Sequence, residues 1–312
     1  MAFTRDKDHG NSTTLIEFIL FGFSDVPDLQ GFLFGLFLII YMIILIGNSL
    51  IIIITKVDSS LQTPMYFFLS NFSILEICYV TVTIPRLLAD LCRQNRSISF
   101  LACATQMYFF LALGATECFV LTAMSYDRYV AICKPLLYPL LMNSRLCVQL
   151  ATGCWISGAT IHIGFTYLVF SLPFCGPHQL DHFFCDVPPV LKLACGNTLM
   201  IEMLVFVLAF LVVTFPFVLI LGSYIKIIAT VLQLPSAKGR DKAFLTCSSH
   251  LMVVLLFFGS GTITYMRPKS THSVGMDRLL SLFYTTMTPI FNPLIYCLRN
   301  KDVTVALRQL MP

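Results

Sequence analysis

Long apolar segments, separated by short polar breaks, constrain this chain more than any other feature. A helix rising ~1.5 Å per residue needs roughly 20 apolar residues to cross a bilayer core about 30 Å thick. Seven segments reach that length, some with a few polar residues: 29–56, 63–92, 99–133, 144–170, 199–232, 240–266 and 277–297. Each must be helical, because lipid offers no partners for backbone N–H and C=O groups.

The composition favours a membrane protein over a soluble one. Hydrophobic residues make up 57% of the chain and charged residues 12%, whereas soluble domains average about 45–50% apolar and about 25% charged residues. So much apolar surface cannot be buried in one soluble core. We therefore predict an all-α integral membrane protein, a bundle of seven transmembrane helices.

The predicted bundle divides the chain into three parts. Residues 1–28 form an N-terminal tail, residues 29–297 the seven-helix domain, and residues 298–312 a short C-terminal tail. In the last part apolar side chains recur at i, i+3, i+4 and i+7, which predicts a short amphipathic helix on the membrane surface. These side chains are Val303, Ala306, Leu307 and Leu310.

The orientation of the bundle follows from the N-terminal tail. This tail lacks the apolar core of a cleavable signal peptide, so the first span is expected to direct insertion. Asn11 begins an Asn-Ser-Thr glycosylation sequence, which predicts an extracellular N-terminus. An odd number of spans then places the C-terminus in the cytoplasm. Lys and Arg are only slightly more frequent on the proposed inner side, which supports this orientation weakly.

The longest connection joins the fourth and fifth spans and covers residues 171–198. It contains Cys175, Cys185 and Cys195, and Cys103 lies at the start of the third span. All four lie on the proposed outer side, where disulfides persist, and four thiols allow three pairings. Long ordered loops usually have a function. We interpret this one as a disulfide-stapled plug, as a lid over a ligand cavity, or as both.

A charged pair lies at the predicted inner end of the third span. Arg128 is costly in an apolar helix unless water or a partner solvates it, and Asp127 is its immediate neighbour. The pair is either an acid and a base that hold each other closed, or a structural arginine that reaches the membrane interface. The surrounding sequence, MSYDRYVAIC at residues 124–133, favours the first interpretation.

That sequence resembles the inner end of the third helix in rhodopsin-like G-protein-coupled receptors. In this extended form it resembles the tetrapod-type class of odorant receptors. Further stretches are similar to the same family, in the expected order along the chain. They are GN at residues 47–48, PMYFFLSN at 64–71, KAFLTCSSH at 242–250 and PIFNPLIYCLRN at 289–300. The resemblance covers nearly the whole chain.

The resemblance implies an odorant receptor of the plasma membrane. A small volatile molecule would bind in the outer half of the bundle and activate a stimulatory, olfactory-type heterotrimeric G protein, which raises cyclic AMP. The residues implied in this switch are Asp127, Arg128, Tyr129, Tyr224, Lys238, Arg240, Lys242, Asn292, Pro293 and Tyr296. For the lysines, contact with lipid headgroups is an equal alternative. Pro216 and Pro293 are expected either as hinges or as structural bends.

Two acids, Glu76 and Glu117, lie inside the predicted spans, where an unpaired carboxylate is costly. With Asn48 and Asn292 they are expected to form a polar cluster at the bundle centre. The cluster matches the position where related receptors bind sodium, but the family commonly has Asp where this chain has Glu76. We therefore favour a water-filled network that controls the switch over a stably bound ion.

The resemblance also implies a ligand pocket between the third, fifth, sixth and seventh helices. Its implied lining is apolar apart from three hydroxyl groups, so a mostly apolar ligand with at most one hydrogen-bonding oxygen is expected. The lining residues are Met107, Phe110, Leu111, Gly114, Leu208, Val212, Phe258, Gly261, Thr262, Tyr265, Leu282 and Thr285. For Gly114 and Gly261, close helix packing is the alternative to room for a ligand.

Of the three possible cysteine pairings, the resemblance selects Cys103 with Cys185 and Cys175 with Cys195. The first pair would tie the long loop to the third helix.

Other classes of membrane protein fit the sequence less well. A transporter usually shows repeat symmetry and interrupted helices, and an ion channel needs a selectivity filter; neither is apparent. An enzyme needs paired catalytic groups, whereas His162 and His250 lie singly in different spans and suit packing or hydrogen bonding. We therefore predict no enzymatic activity, no cofactor, no certain metal site and no nucleic-acid partner.

Overall fold

Helices dominate the computed structural model, which describes residues 17–23, 27–93, 96–175, 178–233, 237–265, 282–291 and 303. The long helices are α1 (Gln30–Val57), α2 (Pro64–Cys92), α3 (Phe100–Cys133), α4 (Ser144–Phe170), α5 (Leu199–Leu232) and α6 (Ala237–Tyr265). A seventh helix, α7, is described from 282 to 291. Short helical turns at Tyr138–Leu141 and Val187–Leu191 lie in the connections.

The first six predicted spans agree with these helices to within a few residues, and the ends of the seventh predicted span lie outside the described residues. Helices α1 to α5 are long and apolar enough to cross a membrane, and α6 contains a shorter apolar stretch, His250–Ile263. The predicted glycosylation site, Asn11, lies outside the described residues, and so does most of the predicted C-terminal amphipathic helix. Val303 is the described part of that helix, and it is helical and buried.

Local sequence signals set the helix starts. Pro64 stands in the first turn of α2, where its missing N–H leaves no hydrogen bond unmade. The Ser99 hydroxyl accepts a hydrogen bond from the Ala102 N–H at 3.3 Å at the start of α3. The Asn143 side chain accepts one from the Leu146 N–H at 2.9 Å at the start of α4. Such caps satisfy backbone groups that the helix itself leaves unpaired.

A small sheet covers one end of the bundle, which we call the cap end. Strand β1 (Glu17–Leu20) lies in the middle, antiparallel to β2 (Ser97–Ser99) and parallel to β3 (Gln179–Leu180). The sheet joins the N-terminal segment to the α2–α3 and α4–α5 connections. The sequence did not predict it, because strands of two to four residues show no readable alternation.

Two disulfides fasten the long α4–α5 connection at the cap end. They join Cys103 to Cys185 and Cys175 to Cys195, which are the pairings that the resemblance implies. The first bond ties this connection to the start of α3, and both of its cysteines lie in an apolar cluster that includes Phe18 of the N-terminal segment. The connection therefore packs down onto the bundle.

Helix α3 is central, since it packs against α2, α4 and α5. Its tightest crossing is with α4 at Gly158. A Cβ atom on Gly158 would lie 2.1 Å from Thr116 Oγ1 and 2.6 Å from the Ala112 carbonyl oxygen. Glycine is therefore required at this position for the observed approach of the two backbones.

Helix α5 contains a π-helical turn, Phe210–Thr214, directly before Pro216. Proline removes one backbone donor, and π turns are a common place for a helix to change direction. Pro216 was expected to bend α5 or to act as a hinge, and the departure from regular α-helix lies in the turn before it. Pro293, the other expected hinge, lies outside the described residues.

The α3–α4 crossing leads to a prediction about stability. In Gly158→Ala the new methyl group would overlap the backbone oxygen of Ala112, which cannot rotate away. Overpacking of this kind costs about 1–3 kcal/mol. We expect a lower thermal unfolding midpoint for the detergent-solubilised variant and less of it at the cell surface.

The matched control is Gly153→Ala in the same helix, where a Cβ would meet nothing within 4 Å. If the two variants had equal thermal unfolding midpoints, the close contact between α3 and α4 at Gly158 would be contradicted.

Candidate functional site

An apolar cavity lies within the bundle, among α3, α4, α5 and α6. Its described wall is formed by Tyr79 of α2, by Phe110, Leu111, Gly114, Ala115 and Cys118 of α3, by His162 and Phe165 of α4, by Val187 of the long connection, by Val205, Leu208, Ala209, Val212 and Val213 of α5, and by Phe257 and Gly261 of α6. The wall carries no carboxylate and no Lys or Arg among these residues. The cavity therefore suits a small, uncharged, mostly apolar molecule.

The wall includes part of the lining implied by the resemblance: Phe110, Leu111, Gly114, Leu208, Val212 and Gly261. The structure puts other implied residues elsewhere among the described residues. Met107 is buried in the apolar cluster around the Cys103–Cys185 disulfide. Phe258 stacks on Phe217 with ring centroids 5.3 Å apart. Thr262, Leu282 and Thr285 are not on the described wall, and the side chain of Tyr265 lies outside the described residues.

The two glycines of the wall are not close helix contacts. A Cβ on Gly114 would lie 3.9 Å from the Tyr79 ring, and one on Gly261 would lie 3.9 Å from a Val213 methyl group. These are ordinary van der Waals distances. Their small size therefore adds space to the cavity, while the tight helix contact is made by Gly158, which sequence reasoning did not single out.

The contribution of α4 to the wall was also missed. His162 is only 6% exposed, and its Nδ1 atom lies 3.1 Å from the carbonyl oxygen of Gly158, one turn earlier. A sequence signal was available, because a glycine and a histidine at i and i+4 lie on the same helix face. What the sequence could not supply was that this face is turned to α3 and the cavity.

Two buried acids lie beside the cavity wall. Glu117 precedes the wall residue Cys118, and its carboxyl group lies near that of Glu76. Two adjacent buried carboxylates repel each other, so ionisation of both is unfavourable unless a cation is present. Asn48 donates to the Ile44 carbonyl at 3.0 Å, and its Oδ1 is a buried acceptor without a hydrogen-bond partner among the described residues. Asn292, the remaining member of the expected cluster, lies outside the described residues.

At the opposite end of the bundle from the cap, Asp127 is bound by a tyrosine. The Tyr138 hydroxyl donates to the Asp127 carboxylate at 2.9 Å. Burial raises the pKa of Tyr138, and the nearby Asp127 charge raises it further. The described residues contain no ion pair between Asp127 and Arg128. In this conformation the Asp127 carboxylate contacts Tyr138 and not Arg128, and the idea that the two charged neighbours hold each other closed stays a prediction.

Hydrogen bonds join α3, α5 and α6 near that end. The hydroxyls of Ser125 and Ser223 lie 2.5 Å apart, which links α3 to α5. The Tyr224 hydroxyl lies 2.6 Å from Nδ1 of His250, which links α5 to α6, and the two rings are stacked. The sequence suggested packing or a hydrogen bond for His250, and the structure shows a hydrogen bond. This bond holds α5 to α6 at the end of the bundle where the G-protein switch was expected.

The other implied switch residues are only partly described. Tyr129 lies beneath the Lys134 ammonium group, 5.8 Å from the ring centroid. Arg240 lies in α6 and is half-buried. The side chains of Lys238 and Lys242, together with Asn292, Pro293 and Tyr296, lie outside the described residues.

Comparison with known proteins identifies the family. A family profile described as olfactory receptor matches residues 37–312. Human olfactory receptor 10AG1 is 58% identical over 296 residues, which cover 95% of this chain and 98% of that receptor. Human olfactory receptor 10A7 is 52% identical, over 96% of this chain and 95% of its own length. Human olfactory receptor 10C1 is 50% identical, over 96% of both chains. The chain belongs to the olfactory receptor family and is a non-enzymatic receptor with a bundle of seven transmembrane helices.

Proposed function

We propose that this receptor binds its odorant in the cavity among α3, α4, α5 and α6 and activates a stimulatory, olfactory-type G protein that raises cyclic AMP. Odorant recognition and G-protein coupling in general follow from the family. The single observation that carries the binding site is the apolar cavity with a few polar groups on its wall. This is the form that small-molecule sites usually take.

The route from the cavity to the G protein runs along α3 and α5. At the cavity floor, Cys118 is adjacent to Glu117, so a ligand pressing on this turn acts on the Glu76–Glu117 pair. On α5, Val212 and Val213 belong to the π-helical turn at the cavity, and Tyr224 lies further along the same helix. A shift of α5 would therefore strain the bond from Tyr224 to His250 and part α5 from α6.

The polar cluster is proposed as a water-linked relay between cavity and switch. The unpaired Asn48 oxygen supports this role, because a buried acceptor of this kind is usually satisfied by water. Sodium is the alternative ligand of the cluster. Two adjacent buried carboxyl groups are more stable when they share a proton, which would lower the negative charge available to a cation. The remaining implied switch residues, Lys238, Arg240, Lys242, Pro293 and Tyr296, are proposed to border the opening for the G protein.

The cap end is proposed to face the outside, with the N-terminus, and the Asp127 end to face the cytoplasm. Both disulfides lie at the cap end, and disulfides persist in oxidising surroundings. The implied pocket residues that are not on the described wall, Met107, Phe258, Thr262, Tyr265, Leu282 and Thr285, remain proposed as a supporting layer around the ligand.

Arg128→Ala tests the coupling. The receptor is expressed with an olfactory-type stimulatory G protein, and cyclic AMP is recorded across an odorant panel. We expect odorant-dependent cyclic AMP from the wild type and none from the variant, because Arg128 lies at the proposed G-protein interface. Surface labelling must show equal amounts of both proteins. Odorant-driven current without any G protein would contradict the proposal.

Gly114 tests the location of the ligand. Leucine at this position would extend into the cavity and raise the half-maximal odorant concentration by roughly tenfold or more. Alanine should have a smaller effect, since a Cβ there meets nothing closer than 3.9 Å. Gly164→Leu on α4, where a Cβ meets nothing within 4 Å, is the control. If the odorant bound elsewhere, Gly114→Leu and the control would have the same half-maximal odorant concentration.

Tyr138→Phe tests the bond to Asp127. Removing the hydroxyl frees the carboxylate to pair with Arg128, which stabilises the closed state of the switch. Hydrogen bonds to charged groups are worth about 1.5–3 kcal/mol, so basal cyclic AMP should fall several-fold at equal surface expression. Tyr126→Phe, which removes an exposed hydroxyl from the same region, should change nothing. Unchanged basal signalling in Tyr138→Phe would show that this bond does not act on the switch.

A further inference from the structure

We infer that the cavity presents a hydrogen-bond acceptor, the Nε2 atom of His162, and therefore selects odorants that carry a hydrogen-bond donor. Alcohols and phenols would bind better than ethers, esters or hydrocarbons of the same size. The inference rests on the proposed function, because it concerns the ligand of that cavity. From the sequence we expected a ligand with at most one hydrogen-bonding oxygen, which could be a donor or an acceptor. The structure favours a ligand whose oxygen is a donor.

The hydrogen bond to Gly158 determines which nitrogen of His162 carries the proton. Nδ1 lies 3.1 Å from the Gly158 carbonyl oxygen, and a carbonyl oxygen can only accept. Nδ1 must therefore be the donor. In a neutral imidazole one nitrogen donates and the other accepts, so Nε2 carries the lone pair.

The surroundings of His162 favour the neutral ring. The cavity wall has no carboxylate among the described residues, and the ring is only 6% exposed. An imidazolium here would be a buried charge without a partner, which is strongly unfavourable. The hydrogen bond to Gly158 restrains the ring, and Phe165 meets the imidazole edge-on with ring centroids 6.5 Å apart. The acceptor is thus held in one orientation.

Nε2 has no hydrogen-bond partner among the described residues, while the rest of the ring is fixed. A ligand that displaces water from this atom must replace the lost hydrogen bond or leave the acceptor unmatched. Only a ligand with an O–H or N–H group can replace it. Sites with buried polar groups discriminate in this way against analogues that lack the matching group.

Two other polar side chains lie on the described wall. The Cys118 thiol is a weak donor and a weak acceptor, so it contributes little selectivity. The Tyr79 hydroxyl can both donate and accept, so it would bind alcohols and ethers alike. Neither group favours donors over acceptors by its own chemistry, so a preference for donors points to His162.

The experiment compares matched probes: straight-chain primary alcohols from hexanol to decanol, their methyl ethers, and alkanes of equal length. Cyclic AMP responses are measured in cells with the olfactory-type G protein, with each potency corrected for the probe's partition into membranes. In the wild type we expect each alcohol to be roughly three- to tenfold more potent than its ether. The comparison is a ratio on one protein, so differences in expression between variants cancel.

Variants at two positions assign the preference to a residue. In His162→Phe, which keeps an aromatic ring but has no acceptor, the alcohol should lose its advantage over the ether. His162→Gln offers an amide with both a donor and an acceptor and should respond to both probes. Tyr79→Phe should keep the wild-type ratio. Equal potency of alcohols and ethers in the wild type, or a preference lost in Tyr79→Phe but kept in His162→Phe, would overturn the inference.

A second measurement separates this inference from the proposed coupling. If no probe raises cyclic AMP, the proposed signalling fails, and thermal stabilisation of the purified receptor by the same probes then tests the cavity alone. Greater stabilisation by alcohols than by ethers, abolished in His162→Phe, would support the acceptor. Equal or absent stabilisation would overturn it.

Discussion

A lipid bilayer offers no hydrogen bonds to a polypeptide backbone, and the whole receptor is organised by that constraint. Each span must be a helix, so specific chemistry is left to the side chains between helices. Helix α3 is in contact with several of its neighbours, since it packs on α2, α4 and α5. The disulfide at Cys103, the cavity at Gly114, the polar cluster at Glu117 and the charged pair at Asp127 follow one another along this helix.

The crossing of α3 and α4 connects packing to recognition. Gly158 lets the two backbones approach closely, and its carbonyl oxygen also binds Nδ1 of His162 on the next turn. The same glycine therefore holds α4 against α3 and orients the imidazole toward the cavity. The Glu76–Glu117 pair lies beside the cavity wall, and the bonds of Tyr138 to Asp127 and of Tyr224 to His250 lie further along the bundle.

Much of the fold could be predicted from the sequence, because apolar length is a strong signal and membrane helices leave few alternatives. The ends of the first six helices were predicted to within a few residues, and the cysteine pairing agrees with the resemblance. The sheet at the cap end could not be predicted, since its strands are short and come from three distant segments. The partner of Asp127 was also missed, because Tyr138 reaches it only through the path of the α3–α4 connection. The resemblance located part of the cavity wall, but not the α4 side, which depends on how far α4 approaches α3.

We propose that the odorant lies among α3, α4, α5 and α6, beneath the disulfide-bonded connection. A photoreactive diazirine derivative of decanol, crosslinked to the purified receptor and mapped by mass spectrometry, tests it most directly. We predict labelling within residues 110–118, 158–165 and 205–213 that excess unlabelled decanol suppresses. Suppressible labelling confined to residues 171–198, or labelling only of lipid-facing positions that decanol does not suppress, would contradict the account.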